Sequence, residues 1–263
     1  MKAKIILALC IFICIVILFT NQIIIEDLKP PFYSVAKLTA IKHHIEDDAD
    51  ITSYSAVQGA CTDENYAYFA LDNGKTTLLK YRLPDFELVK RTTYSTIGHA
   101  NDMTYNPKTH QLIVANNCPD YKTVTFIDPN TLKITGSQKL SHNIYCIAYN
   151  ENTDKYIVGI SGGYDFAILD KNFKTTAIHK GHNSGYIRQG CDADKNYIYF
   201  AQSGGGQNVI VVYNYSGQLI DIISIKMPHE IENIFHTKST MYLSLFQYTN
   251  TVYTAKLSDI RYN

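Results

Sequence analysis

Tryptophan is absent from the chain, and charge of neither sign dominates: 24 lysines and arginines stand against 24 aspartates and glutamates. Without a basic excess there is no field to attract nucleic acid. No Gly-x-Ser-x-Gly elbow is present, and no serine sits in a nucleophile context. No His-x-x-x-His pair lies on a helical pattern, so a local metal-ligand motif is missing. Cysteine is sparse, at six in 263 residues, which excludes a small disulfide-built scaffold.

What the chain does have is tyrosine, 21 of them. With the β-branched residues they favour strands. One apolar run stands apart. Ile5 to Ile25 is 21 residues, nearly all apolar, preceded by Lys2 and Lys4 and followed by Glu26 and Asp27. At ~1.5 Å per residue this length spans a bilayer core. The positive flank stays in the cytoplasm, which puts the rest of the chain outside. No small-x-small cleavage site follows the run, and Leu9 and Ile13 before Cys10 and Cys14 do not make a lipobox. The reading is an uncleaved signal-anchor helix over 1–25, a short spacer over 26–31 stiffened by Pro30-Pro31, and one extracytoplasmic domain over 32–263. The alternative is a cleaved segment and a secreted chain. Without residues 1–25, 22 basic residues face 24 acidic ones, a formal charge of −2. Cys61, Cys118, Cys146 and Cys191 remain, three of them in apolar strand patterns that suit buried free thiols.

The domain repeats. QGACTDENYAYFA from Gln58 and QGCDADKNYIYFA from Gln189 share eight of thirteen positions, 131 residues apart. That offset is three units of nearly 44, and NDMTYNPKTHQLIVA, YCIAYNENTDKYIVG and ENIFHTKSTMYLSL supply units at Asn101, Tyr145 and Glu232. Each reads as four strands. In the second unit these are NDMTY, QLIVAN, KTVTFID and LKITGSQ, with Asn106-Pro107 and Asp128-Pro129-Asn130 at the turns. Four-stranded units of this length, repeated radially, predict an all-β, five-bladed β-propeller. The last unit stops after TVYTAKL, its third strand. FYSVAKLTAI, from Phe32 to Ile41, is predicted to supply the fourth and close the ring, which removes an exposed edge.

A ring of blades gathers the starts of its inner strands at one mouth of a central channel, the default place for a ligand. Alignment brings Gln58, Asn101, Tyr145, Gln189 and Glu232 to that level, on one face with Ala60, Met103, Ile147, Cys191 and Ile234 two residues on. The predicted ligand-binding set is Gln58, His99, Asn101, Asp102, Tyr145, Arg188, Gln189, Glu230, Glu232 and Asn233, with Arg188 facing anions. His99, His142, His182 and His229 precede inner strands and could hold a metal with nearby carboxylates. Their spacing favours bonds to neighbouring blades instead, so no cofactor is expected. SGGY at Ser161 and SGGGQ at Ser203 sit between second and third strands, where glycine makes a hairpin rather than a phosphate cradle. Tyr33, Tyr94, Tyr121, Tyr145, Tyr164, Tyr186 and Tyr248, near loops, offer faces to sugars.

LIVANNCPDYKTVTFIDPNTLKITGSQKL resembles the YVTN-type repeat of surface-layer propellers. Together with GHANDMTYNPKT, SHNIYCIAYNENTDKYIVGISGGYDFAILD, QGCDADKNYIYFAQS and EIENIFH, it resembles bacterial extracytoplasmic propellers of the helveticin J and teichoic-acid-biosynthesis-protein-C-like group. That resemblance implies a surface or secreted location in Gram-positive bacteria and no defined catalytic activity. Gln58-Gly59 and Glu230-Ile231-Glu232 also resemble motifs of five-bladed glutaminyl cyclases. The functional expectation is a membrane-anchored, non-enzymatic module that binds a cell-envelope glycan, a peptide or a protein. The alternative is a hydrolase, lyase or cyclase using Asp102, Glu230 and Glu232.

Overall fold

The computed structural model describes residues 32–35, 39–44, 56–225, 230–246 and 251–256. The expected membrane helix and spacer, His229 and Tyr248 lie outside these residues. Among the described residues, no helix is long and apolar enough to cross a membrane.

Among the described residues, every regular element is a strand. β1 (Phe32–Val35) and β2 (Thr39–His44) come first. β3 (Ala56–Thr62), β4 (Tyr66–Asp72), β5 (Thr76–Arg82) and β6 (Glu87–Tyr94) make the first repeat unit. The second is β7 (Asp102–Asn106), β8 (Gln111–Ala115), β9 (Thr123–Ile127) and β10 (Ile134–Lys139). The third is β11 (Ile144–Asn150), β12 (Lys155–Ile160), β13 (Phe166–Leu169) and β14 (Thr175–His179). The fourth is β15 (Ile187–Ala193), β16 (Tyr197–Gly204), β17 (Gln207–Asn214) and β18 (Leu219–Ile225). β19 (Glu230–His236), β20 (Thr240–Phe246) and β21 (Thr251–Lys256) end the series. Each unit is an antiparallel meander, and the sequence-predicted strands match to within two residues. The glycine-rich run at Ser203 is a hairpin: Gly204 pairs with Gln207, and Gly205 and Gly206 have φ of 59° and 77°. Positive φ at both central positions is the type I′ turn that glycine permits.

The N-terminal segment departs from expectation. It is not one closing strand but two. β2 pairs with β21 and completes the last sheet, with Ala40 opposite Tyr253. β1 instead adds to the outer edge of β18. Four sheets are therefore four-stranded blades, and the fourth unit's sheet has five strands. Extended backbone ahead of β2 reaches the neighbouring edge, whose N–H and C=O groups are otherwise open.

The sheets pack side by side around an axis. The cores show this directly. Phe69, Leu71 and Leu79 of the first sheet pack with Phe235 and Tyr242 of the last. The other face of the first sheet, with Tyr68, Ala70 and Leu78, packs against Met103, Leu112 and Val114 of the second. Further cores join the second sheet to the third, the third to the fourth, and the fourth to the last. Successive side chains of β4 thus enter different cores. So do those of β16, where Tyr199 and Ala201 face one neighbour and Ile198 and Phe200 the other. Burial on both faces explains why these strands read as unbroken apolar runs. Polar ties reinforce the seams: Lys80 donates to the Pro129 carbonyl at 3.0 Å and Asn150 to the Asp194 carbonyl at 2.8 Å.

Candidate functional site

The innermost strands β3, β7, β11, β15 and β19 surround the axis, and four of them, β7, β11, β15 and β19, meet at one side chain. Asp102, at the start of β7, is fully buried. Its Oδ1 accepts from its neighbour Met103 N–H at 2.8 Å and from the Asn233 side-chain amide on β19. Its Oδ2 accepts from Ile147 N–H on β11 and Cys191 N–H on β15, both at 3.0 Å. On β3, a side chain in place of Gly59 would meet the Asp102 Cα at 3.1 Å. Inner strands expose N–H groups on their free edges, and a buried one without a partner costs about 1–3 kcal/mol. Asp102 supplies acceptors for several at once. Burial pushes its carboxyl up to about 8, while the four N–H donors pull the other way by favouring the ionised form.

Asp102 divides the channel. On one side lies the mouth where the inner strands begin, called here the N-terminal mouth. Four of those strands carry a β-bulge. The pairing register skips one residue between Val57 and Gly59, between Ile144 and Cys146, between Arg188 and Cys191, and between Ile231 and Asn233. Gln58, Tyr145 and Glu232 are the extra residues, and in β15 Gln189 and Gly190 together stand opposite Ala201. β7 has no such break, and Asn101 lies just ahead of it. A bulge reverses the in–out alternation beyond it. The single face predicted from Gln58 through Ala60 and its counterparts is therefore interrupted.

The predicted site residues separate into three groups. Asp102 and Asn233 form the plug rather than the mouth, and Asn233 is fully buried. Tyr145 and Arg188 turn away into the seam between the third and fourth sheets. Both Arg188 terminal nitrogens donate to the Asp165 carbonyl, at 2.9 and 3.0 Å. The guanidinium lies 5.0 Å from the Tyr145 ring centre and 5.4 Å from that of Tyr164. Two of its N–H groups are held by that carbonyl and the residue is buried in the seam, so it is not the anion-facing residue that its position suggested. His99 also turns outward, pairing with Asp72 of the first sheet beside a separate cavity of about 240 Å³ that Cys118 also lines.

Gln58, Asn101, Gln189, Glu230 and Glu232 remain. Asn101 donates to the Tyr145 carbonyl and accepts from Asn117, both at 2.8 Å. Gln189 donates to Glu230 at 2.6 Å. Glu232 is 6% exposed and Gln58 7%. Neither side chain has a hydrogen-bond partner among the described residues. Burial, with the Glu230 charge adding to it, pushes the Glu232 carboxyl up to about 8.

On the other side of Asp102, where the inner strands end, a cavity of about 340 Å³ opens at the C-terminal mouth. It was not foreseen. Its acidic residues, Asp63, Glu64, Glu151, Asp192 and Asp194, follow or end inner strands and read in sequence as turn punctuation.

Among the described residues, no histidine belongs to a group of three possible metal ligands. Among the described residues, one set of three possible ligands lies within 4.8 Å: Asp102, Cys146 and Cys191. Its carboxylate already accepts four N–H bonds, and burial pushes the Cys191 thiol up, away from the thiolate that a metal needs. This set fits a sealed hub better than a metal centre. All four described cysteines are free, with Cys61, Cys146 and Cys191 buried and Cys118 exposed. Of the loop tyrosines, Tyr94 and Tyr145 are buried, while Tyr121 is 41% exposed.

No known family model matches the chain, and no curated protein matches it. Its resemblance to the YVTN and helveticin J groups is carried by the quoted motifs alone. Among solved structures, the chain is similar to a protein of unknown function from Bacteroides caccae, at 17% identity and a TM-score of 0.51, over 70% of this chain and 73% of that one. It is also similar to BamB from Moraxella catarrhalis, at 15% identity and a TM-score of 0.42, over 76% and 60%. The WD40 repeats of RRP9 are similar at 11% identity and a TM-score of 0.46, over 76% and 79%. At these identities the likeness concerns architecture, and that architecture is an all-β propeller of repeated four-stranded units.

Proposed function

We propose that the chain is a binding module, its five sheets forming the five blades of one closed ring. It is held on the extracytoplasmic face of the membrane by residues 1–25. Its partner, a cell-envelope glycan, peptide or protein, is engaged at the N-terminal mouth by Gln58, Asn101, Gln189, Glu230 and Glu232. The observation that carries this reading is the commitment of Asp102. A general acid or base must reach its substrate within hydrogen-bond distance. Asp102 is sealed and accepts four N–H bonds, which removes it from the hydrolase, lyase or cyclase set. What is left is hydrogen-bonding equipment: amides, a Gln189–Glu230 pair, and in Glu232 a carboxyl with no partner among the described residues. Near neutral pH that carboxyl both donates and accepts, which suits hydroxyls and peptide groups.

Pull-down on isolated cell-envelope glycan and on envelope proteins tests the reading. Glu232→Gln and Glu232→Ala are expected to reduce capture about tenfold, a loss of ~1.4 kcal/mol, with the melting temperature not lowered. Capture equal to wild type would refute the assignment of this mouth. Protease cleavage of the domain on intact cells tests the orientation.

A further inference from the structure

We propose that the C-terminal mouth is a second binding site, for an organic cation: an alkylammonium or guanidinium group on an apolar stem. The site is independent of the N-terminal mouth. Its cavity, about 340 Å³, is in the range that holds small ligands. Five carboxylates and two lysines line it, an excess of three negative charges in a concave setting that concentrates the field.

The carboxylates are not equivalent. Asp63 and Asp194 each hold two turn N–H groups on Oδ1 and a tyrosine hydroxyl on Oδ2, from Tyr68 and Tyr199 at 2.7 Å. Asp192 pairs with His236. Glu151 is exposed and has no hydrogen-bond partner among the described residues. Glu64 is also exposed and accepts one backbone bond, from Lys238 N–H at 3.2 Å. These two glutamates are the charges available to a ligand.

Two further observations define the ligand class. Among the described residues, no three of the lining acidic, histidine and cysteine groups bring ligand atoms within 4.8 Å of one another. Such spread suits a delocalised or multiply bonded organic cation better than one small ion, which needs converging oxygens at 2.3–2.6 Å in the case of calcium. Below the charges, Met103, Cys191 and Ile234 form an apolar floor. Beside it, Thr104 lines the cavity at 8% exposure, and its hydroxyl has no hydrogen-bond partner among the described residues. An apolar stem on the floor, with its cation bonded to Thr104 and the two glutamates, satisfies all of these groups.

Calorimetric titration of the full chain with N-acetyl-lysine amide, spermidine and the uncharged N-acetyl-norleucine amide tests the proposal. Both cations are expected to bind saturably and norleucine not to bind. Glu151→Gln is expected to weaken both cations about tenfold, and Thr104→Val about threefold. Glu232→Gln should leave them unchanged, which separates this site from the other mouth. Tighter lysine binding assigns the site to a side chain of a protein partner; tighter spermidine binding assigns it to a free polyamine. Equal binding of norleucine, no saturable response to either cation, or unchanged affinity in folded Glu151→Gln would overturn it.

Discussion

The two mouths are opposite ends of the same five strands, yet they are built differently. At the N-terminal mouth, bulges interrupt four strands and leave Gln58 and Glu232 buried without hydrogen bonds among the described residues. At the C-terminal mouth, acidic residues cap turns, and most are bonded to tyrosine, histidine or backbone. One end holds side-chain amides and the neighbouring carboxyls of Glu230 and Glu232 in a confined space. The other holds fixed negative charge around an open cavity. Asp102 stands between them, so each end can be altered while the other is read as a control.

The most severe way to break this division is to remove the partition. Asp102→Ala leaves four N–H donors on four inner strands without their acceptor. The expected loss is about 3–5 kcal/mol of stability, measured by urea denaturation. Asp102→Asn keeps the volume and one acceptor oxygen, so its loss should be smaller, about 1–3 kcal/mol. Equal losses would mean that packing, not the acceptor set, is what Asp102 provides.

Next in size is Gly190→Ala. The new Cβ would press on the Asn233 side-chain amide and lie 3.0 Å from its Cα, so β15 and β19 would have to separate. About 1–3 kcal/mol of overpacking is expected. Gly205→Ala, at the hairpin tip, meets nothing within 4 Å and should cost only its left-handed backbone, about 1 kcal/mol. A glycine at the axis is required by close approach; one at the rim is required by the turn.

Proton linkage sharpens the contrast between the ends. Asp102 and Glu232 have carboxyls raised to about 8. The folded chain therefore holds more protons than the unfolded chain between about pH 4 and pH 8. Stability from these two groups is greatest at the acid side of that window, declines as pH rises through it, and levels off above 8. Glu232→Gln removes one contribution. Denaturation at pH 5 and pH 8.5 should show a shallower decline in the variant, which becomes the more stable chain at pH 8.5.

Much of the fold was legible, because the 44-residue period and the alternation of apolar residues report burial on both faces of a strand. The strands of the second unit follow from that pattern almost residue by residue. The site was less legible for a specific reason. A bulge is one extra residue, and four of the five aligned repeats carry it at the same place, so the alignment looks seamless while the facing changes. On β19 this brings Asn233, rather than its predecessor Glu232, to Asp102 at the axis. Arg188 was misjudged because a guanidinium can turn back into a seam, and only the position of the Asp165 carbonyl reveals that it does. The division of FYSVAKLTAI into β1 and β2 depends on which sheet edge lies nearby, which no local pattern encodes.

The smallest effect tests the repeat itself. Asp63 and Asp194 sit at equivalent places in the first and fourth units, each capping its turn and each accepting a tyrosine hydroxyl five residues on, at 2.7 Å. Tyr68→Phe and Tyr199→Phe each delete one hydroxyl and nothing else. Each should cost about 1 kcal/mol, the net worth of one such bond. If the two units are energetically as well as geometrically equivalent, the losses will agree within about 0.5 kcal/mol and add in the double variant, since the pairs lie in separate sheets. A loss confined to Tyr199→Phe would mean that the fourth unit, which carries the fifth strand, bears more of the C-terminal mouth than its counterpart. The mouth would then be a ring in geometry but lopsided in energy, with its ligand expected on the weaker side.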